Sequence, residues 1–95
     1  MQNTLGLHEL NAGDCAIVYE VRNEPVMRRR LQDLGLVENT KVECIGKAPG
    51  GELCAYLIRG AVIAIRALDG QKVRVFPTFI PTTPTTSDNN TLTYM

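Results

Sequence analysis

The stretch ELCAYLIRGAVIAI, residues 52–65, contains two short apolar runs that are rich in β-branched and aromatic side chains. Runs of this length and composition are typical of β-strands. Arg59 and Gly60 separate the two runs, and a two-residue connection that ends in glycine favours a tight β-hairpin. The stretch therefore predicts two adjacent antiparallel strands, and the rest of the chain has to supply the strands that pair with them.

Three further segments on either side of this hairpin show a strand pattern. Residues 15–21 alternate in character, with four apolar side chains on one face: Cys15, Ile17, Tyr19 and Val21. Residues 40–47 alternate as well, because Val42 and Cys44 fall on the face opposite to the charged side chains. A short segment over 72–76 follows the hairpin and is predicted to close the sheet.

One helix is predicted between the first and second strands. Pro25 suits a first helical turn, because the N–H that it lacks would have no helical partner there. Met27, Leu31 and Leu34 follow at i, i+4 and i+7 and form an apolar stripe. Gly35 then favours the left-handed conformation that ends a helix. Together these elements predict a mainly-β fold, a small SH3-like five-stranded antiparallel barrel with one short helix between strands 1 and 2.

Length and composition indicate one small domain with a tail. The chain has 95 residues, and residues 1–76 are predicted to form the barrel domain. Residues 77–95 are rich in proline and threonine and are interpreted as a polar C-terminal tail outside the core. No apolar run reaches the roughly 18–20 residues of a membrane span, so no membrane insertion is expected. The N-terminal residues show no signal-peptide pattern, and a cytoplasmic location is the expectation.

The sequence shows no group of residues typical of an enzyme. His8 is the one histidine, and general acid–base catalysis needs a positioned partner that the sequence does not indicate. Ser87 is the one serine, and it lies in the tail. Gly50 and Gly51 lie between two predicted strands, so no helix N-terminus follows them to bind a phosphate. We therefore expect a protein that is not an enzyme and needs no cofactor.

The three cysteines, Cys15, Cys44 and Cys54, are dispersed over three predicted strands. Their odd number does not fit a disulfide framework, and zinc sites usually show closer spacing such as C-x-x-C. Free cysteine is among the most buried residue types, so core positions are the favoured interpretation and no metal site is predicted. The alternative is that closure of the barrel brings two of the thiols together as metal ligands.

Two segments of the chain resemble the FeoA family. Residues 27–36 read MRRRLQDLGL, which is similar to the family's helix pattern of basic residues and leucines before a terminal Gly-Leu or Gly-Met. Residues 47–52 read KAPGGE and resemble the family's loop. The arginine-glycine turn at 58–60 and the strand end at 64–66 follow in the family's order. The resemblance covers residues 5–76.

FeoA proteins are small cytosolic partners of FeoB, the membrane ferrous-iron transporter with an N-terminal GTPase domain. The resemblance therefore implies an accessory or regulatory protein of ferrous iron transport, with a place in transition-metal handling. It also implies docking on the cytosolic GTPase part of a FeoB-type transporter. The residues expected to bind this partner lie in the helix and in the loop: Arg28, Arg29, Arg30, Pro49, Gly50 and Gly51.

The arginine run 28–30 also has a plainer interpretation. Guanidinium groups suit carboxylate or phosphate recognition, but on a solvated helix face they can instead pair locally with Glu24 and Asp33. Exposed pairs of this kind contribute only about 0.2–1 kcal/mol, which does not explain a run of three arginines.

Two other functions stay open. A nucleic-acid-binding SH3-like barrel is the alternative, because the arginines suit phosphates. The formal net charge of zero and the sparse aromatic residues oppose it. Self-association is the other, since the apolar segment from Phe76 to Ile80 can lie along the edge strand of another copy.

Overall fold

Six antiparallel strands form one sheet, and the computed structural model describes residues 3–78. Along the chain the strands are β1 (Leu5–Gly6), β2 (Cys15–Val21), β3 (Lys41–Lys47), β4 (Leu53–Ile58), β5 (Ala61–Arg66) and β6 (Val73–Thr78). The remaining elements are a 3₁₀ turn (Leu7–Glu9) after β1, helix α1 (Pro25–Asp33) between β2 and β3, and helix α2 (Ala67–Gly70) between β5 and β6. Neighbouring strands pair in the order β1-β6-β2-β3-β4-β5.

The mainly-β antiparallel fold is confirmed, but the sheet has six strands instead of five, so α1 follows the second strand and not the first, and a second helix, α2, is present. The additional strand is β1, whose two residues are too short to show any alternation. Its pairing defines it, because Leu5 lies opposite Val75 in β6. The Arg74 side chain strengthens this junction by donating a hydrogen bond of 2.8 Å to the carbonyl oxygen of Thr4.

Strand β6 extends two residues beyond the predicted end of the barrel. Pro77 and Thr78 pair with Ala16 and Cys15 at the start of β2. The rest of the proposed tail, residues 79–95, lies outside the described residues, and so do Phe79 and Ile80 of the segment considered for self-association.

The hairpin of β4 and β5 has the predicted form. Arg59 and Gly60 connect the strands with φ angles of 52° and 83°. Two central residues with positive φ are the mark of a type I′ turn, which matches the twist of the strands that it joins. Pairing then runs without a shift from Ile58 opposite Ala61 to Leu53 opposite Arg66.

The core face of β2 differs from the predicted one. The alternation placed Ile17 and Tyr19 on one face with Val21, whereas Ala16 and Val18 are buried and Tyr19 is exposed. The pairing of β2 with β6 shifts after Val18, so Tyr19 is the extra residue of a β-bulge. Because one extra residue reverses which side chains point inward, Val21 returns to the core.

Helix α1 ends in a Schellman motif. The N–H of Leu36 donates to the carbonyl of Leu31 at 3.0 Å, and the N–H of Gly35 donates to the carbonyl of Gln32 at 3.0 Å. Leu31 and Leu36 are both buried, which supplies the apolar contact that accompanies this motif. Leu34, predicted to lie in the apolar stripe, is instead 43% exposed, because it is the C-cap residue and the chain turns inward only after it.

The core is built mainly by the strands, with Leu7, Leu10 and Leu31 added to it, and small and medium-sized apolar side chains surround Tyr56, which is fully buried. All three cysteines belong to it, with exposed fractions of 8% for Cys15, 0% for Cys44 and 1% for Cys54. Their interpretation as core residues is therefore confirmed.

Gly35 should tolerate substitution less well than other glycines with positive φ. Its φ is +112°, and an added Cβ would lie 3.0 Å from Cγ2 of Ile58. Gly13 has φ of +94° but open space around it, so a substitution there measures the cost of the positive φ alone. We expect Gly13→Ala to lower the free energy of unfolding by about 1 kcal/mol and Gly35→Ala by about 2 kcal/mol or more, because only the latter adds a clash. Urea unfolding of both variants measures this difference, and equal losses would contradict it.

Candidate protein-binding surface on helix α1

Helix α1 presents its three arginines to solvent. The helix has one buried residue, Leu31, and Met27 packs half-buried against the core. Arg28, Arg29 and Arg30 lie on the remaining surface of the helix and are all exposed. Three guanidinium groups are thus carried on one rigid element, where the backbone fixes their spacing.

The arginines of α1 form no ion pair with other residues in the range 3–78. The ion pairs in this part of the chain involve Arg22 and Arg66 instead. The local partners considered for the helix, Glu24 and Asp33, do not come within ion-pair distance of the run 28–30. The local ion pairs of the plainer interpretation are therefore absent from residues 3–78, and the three guanidinium groups face solvent.

Apolar side chains border these charges. Val26 is 80% exposed and Leu34 is 43% exposed, the former at the start and the latter at the end of α1. A shallow groove of about 530 Å³ on the helix surface is lined by Pro25, Val26, Arg28, Arg29 and Gln32. Arginine beside an exposed aliphatic side chain is typical of surfaces that bind proteins, whereas small molecules usually occupy enclosed apolar clefts.

Asn23, two residues before Pro25, is the one buried polar residue among residues 3–78, and the sequence did not predict this burial. It is 1% exposed, and its amide nitrogen donates a hydrogen bond of 3.0 Å to the carbonyl oxygen of Asp69 in α2. This contact ties the segment just before α1 to α2. The signal in the sequence was weak, because asparagine two residues before a proline also fits an ordinary turn.

The loop after β3 is a tight turn. The N–H of Gly51 donates to the carbonyl of Ala48 at 2.8 Å, with Pro49 and Gly50 between them. Gly50 has φ of +88°, so proline and glycine occupy the two central positions that a type II turn favours. The N–H of Ala48 also donates to the carbonyl of Leu53, which closes the loop onto β4. The turn therefore gives Pro49 and Gly50 a structural role.

The structure does not bring the loop and the arginines together. The C-terminal end of α1 lies against the Ile58 end of β4, since Gly35 approaches Ile58 there. The loop adjoins Leu53 at the other end of β4, roughly 16 Å away at about 3.3 Å per residue. Around the loop, a second groove is lined by His8, Gly50, Gly51, Glu52, Arg66, Ala67, Leu68 and Gln71. The six predicted partner-binding residues therefore belong to two separate surfaces.

The perturbed titratable groups lie in the core and not on either surface. Burial is the main cause that raises the pKa of Tyr56 far above its ordinary value of 10.0. The Tyr56 hydroxyl donates a hydrogen bond of 3.1 Å to the carbonyl of Leu7. Burial is the main cause that raises the pKa of the Cys44 thiol above its ordinary value of 9.0, and the neighbouring Cys54 is the second cause. Because both groups keep their protons more strongly in the folded protein, their shifts make stability depend on pH.

Residues 3–78 show neither a metal-binding cluster nor a membrane-spanning helix. No group of three or more His, Cys, Asp or Glu side chains is placed there so that it could hold a metal ion. No helix in this range has the length and apolar character needed to cross a membrane.

Comparison with known proteins places the chain in a class and then in a family. The six-stranded antiparallel sheet, with α1 inserted between β2 and β3, defines a small SH3-like β domain. Residues 5–77 match the FeoA domain. The chain therefore belongs to the FeoA family of ferrous-iron transport accessory proteins. No curated protein matches the sequence.

Solved structures of FeoA proteins share the fold. The FeoA protein of Chlorobium tepidum is 33% identical with a TM-score of 0.75, over 87% of this chain and 80% of that one. The FeoA-like protein of Clostridium acetobutylicum is 27% identical with a TM-score of 0.76, over 85% and 94%. The FeoA of Stenotrophomonas maltophilia, solved in complex with zinc, is 30% identical with a TM-score of 0.66, over 73% and 86%. It is described as an SH3 domain protein with a suggested part in activating ferrous iron transport.

Proposed function

We propose that this protein is a cytosolic accessory regulator that docks on the GTPase part of a FeoB-type ferrous-iron transporter through helix α1. Membership of the FeoA family supports the transport context. The observation that carries the docking surface is the run 28–30, whose guanidinium groups are exposed and form no ion pair within residues 3–78.

The chemistry of α1 indicates the kind of surface that it fits. Guanidinium groups form paired hydrogen bonds with carboxylates, and these bonds strengthen when an interface excludes water. Val26 stands next to the arginines with 80% of its surface exposed, so an apolar contact on the partner can cover it. The docking site on the transporter is therefore expected to combine acidic side chains with a small apolar depression.

Charge reversal on α1 should abolish most of the binding. Arg28→Glu combined with Arg29→Glu replaces attraction by repulsion, and we expect the Kd for the transporter's GTPase domain to rise about 100-fold. Both side chains are exposed, so the fold should stay intact. Isothermal titration calorimetry, with and without guanine nucleotide, measures the affinity, and circular dichroism checks folding.

Lys47→Glu is the matched control for this experiment. Lys47 is exposed and adjoins the loop of Pro49 to Gly51 at the other end of the barrel, so its reversal changes the net charge without touching α1. We expect its Kd to stay within about twofold of the unmodified protein. Weaker binding by Lys47→Glu alone would assign docking to the loop. No association of the unmodified protein at tens of micromolar would refute the proposed function.

A further inference from the structure

Strand β5 lies at one edge of the sheet with no strand beyond it among residues 3–78. Its second residue, Val62, is 65% exposed, and Ala61 and Ala64 are exposed as well. An edge strand presents a row of backbone N–H and C=O groups that another strand can pair with. The edge of β5 is therefore open to pairing with another strand.

The register of the hairpin shows which backbone groups of β5 point outward. Ile58 and Ala61 close the two-residue turn, and such a closing pair is hydrogen-bonded. Hydrogen bonds to β4 then recur at every second residue, and the N–H of Ala67 continues this series by donating to the carbonyl of Glu52 at 2.8 Å. The alternate residues direct their N–H and C=O away from the sheet: Val62, Ala64 and Arg66.

Only Arg66, the last residue of β5, places a charge at this edge. Natural edge strands usually carry charges, prolines or bulges, or are very short. Residues 61–65 read AVIAI, and their pairing with β4 shows no shift. The other edge of the sheet differs, because β1 has only the two residues Leu5–Gly6.

We propose that β5 pairs with β5 of a second copy of this chain, antiparallel and across a twofold axis at Ala64. In this register Val62 lies opposite Arg66 of the second copy, and Ala64 lies opposite Ala64. All outward groups of both strands then find partners, which gives about six hydrogen bonds between the copies. A second copy fits because the strand is uncharged over 61–65, and because the register separates the two Arg66 side chains. One strand pair buries less than the about 1,200–2,000 Å² of a standard interface, so the dimer is weak and depends on concentration.

Ala64→Pro tests the pairing with the least disturbance of the fold. The N–H of Ala64 points outward, so proline removes no hydrogen bond to β4. Sedimentation equilibrium of the full chain, from about 10 μM to about 1 mM, should show a mass that approaches twice the 10.5 kDa of one chain. We expect Ala64→Pro to raise the dimer Kd at least about tenfold.

Val62→Lys provides a second variant with a matched control. A lysine at this position places a charge on the edge and should weaken the dimer by a similar factor. Val26→Lys makes the same change at another exposed valine, on α1, which is 80% exposed, and should leave the dimer Kd unchanged. Loss of the dimer in Val26→Lys as well would show that general surface charge, and not the β5 edge, governs association.

Amide hydrogen exchange measured by NMR gives a direct readout. The inward amides of β5 should be protected at every concentration: Ala61, Ile63 and Ile65. The outward amides of Val62, Ala64 and Arg66 should gain protection only as the concentration rises. A monomer mass up to about 1 mM would overturn the proposal. Concentration-independent protection of the outward amides would overturn it too, since it would mean that the edge is covered within one chain. Neither result bears on docking through α1.

Discussion

Tyr56→Ala should remove a large part of the protein's stability at 25 °C. The side chain is fully buried at the centre of the core, and truncation of a large buried ring costs about 3–5 kcal/mol. A domain of this size has only about 5–15 kcal/mol of stability in total, so the loss consumes a large part of it. Urea unfolding followed by far-UV circular dichroism measures the change in the free energy of unfolding.

Tyr56→Phe separates packing from hydrogen bonding at the same position. Phenylalanine keeps the ring but leaves the carbonyl of Leu7 without the partner that now donates to it at 3.1 Å. An acceptor left unpaired in the interior costs about 1–3 kcal/mol, so this variant should lie between the unmodified protein and Tyr56→Ala. A loss as large as that of Tyr56→Ala would show that the hydroxyl, and not the ring, holds the core.

Stability should fall steeply above pH 10. Burial raises the pKa of Tyr56 above its ordinary value of 10.0, so the folded state holds the proton that the unfolded state releases. The stabilisation is fully present below pH 10 and is lost as the pH rises further. One such group lowers the free energy of unfolding by about 1.4 kcal/mol per pH unit. Cys44, whose pKa is raised from 9.0 by burial, adds to the loss in the same direction from about pH 9.

Tyr56→Phe again supplies the control, because it removes this one ionisable group and keeps the ring. Urea unfolding of both proteins at pH 9, 10, 11 and 12 gives two slopes. We expect the slope of the variant to be shallower by about 1.4 kcal/mol per pH unit above pH 10. Identical slopes would mean that Tyr56 ionises as readily in the folded protein as in the unfolded chain.

Much of this fold follows from local patterns in the sequence. The hairpin over 52–66 could be predicted because Arg59 and Gly60 match the turn that they form, and α1 because Pro25 and Gly35 mark its ends. Strand β1 could not be predicted, since two residues carry no periodicity and Leu5 becomes a strand only by pairing with Val75.

The bulge in β2 escaped prediction for a related reason. Tyr19 is displaced by the register that β6 imposes, and pairing between distant segments leaves no local signal in the sequence. Alternation alone therefore grouped Ile17 and Tyr19 with Val21, while Ala16 and Val18 enter the core.

For the candidate site, the period of the helix was sufficient to place Arg28 and Arg29 outside the apolar stripe that begins with Met27 and Leu31. The exposure of Val26 was not predictable in the same way, because a valine one residue after Pro25 fits a buried first turn equally well. The separation of the loop from the arginines depends on which end of β4 each of them adjoins. Only the assembled sheet determines that distance, so the sequence could not indicate that the residues belong to two surfaces.

The position of β6 between β1 and β2 has a consequence for synthesis. The ribosome completes β1 and β2 early, but the strand that separates them, Val73–Thr78, emerges almost last. Until then the edge of β2 that pairs with β6 stays open, and Val18 lacks its partner Val75. Contacts between distant segments form slowly and leave apolar surface accessible in the meantime. A nascent chain that stalls before residue 73 is therefore a natural substrate for chaperones and proteases.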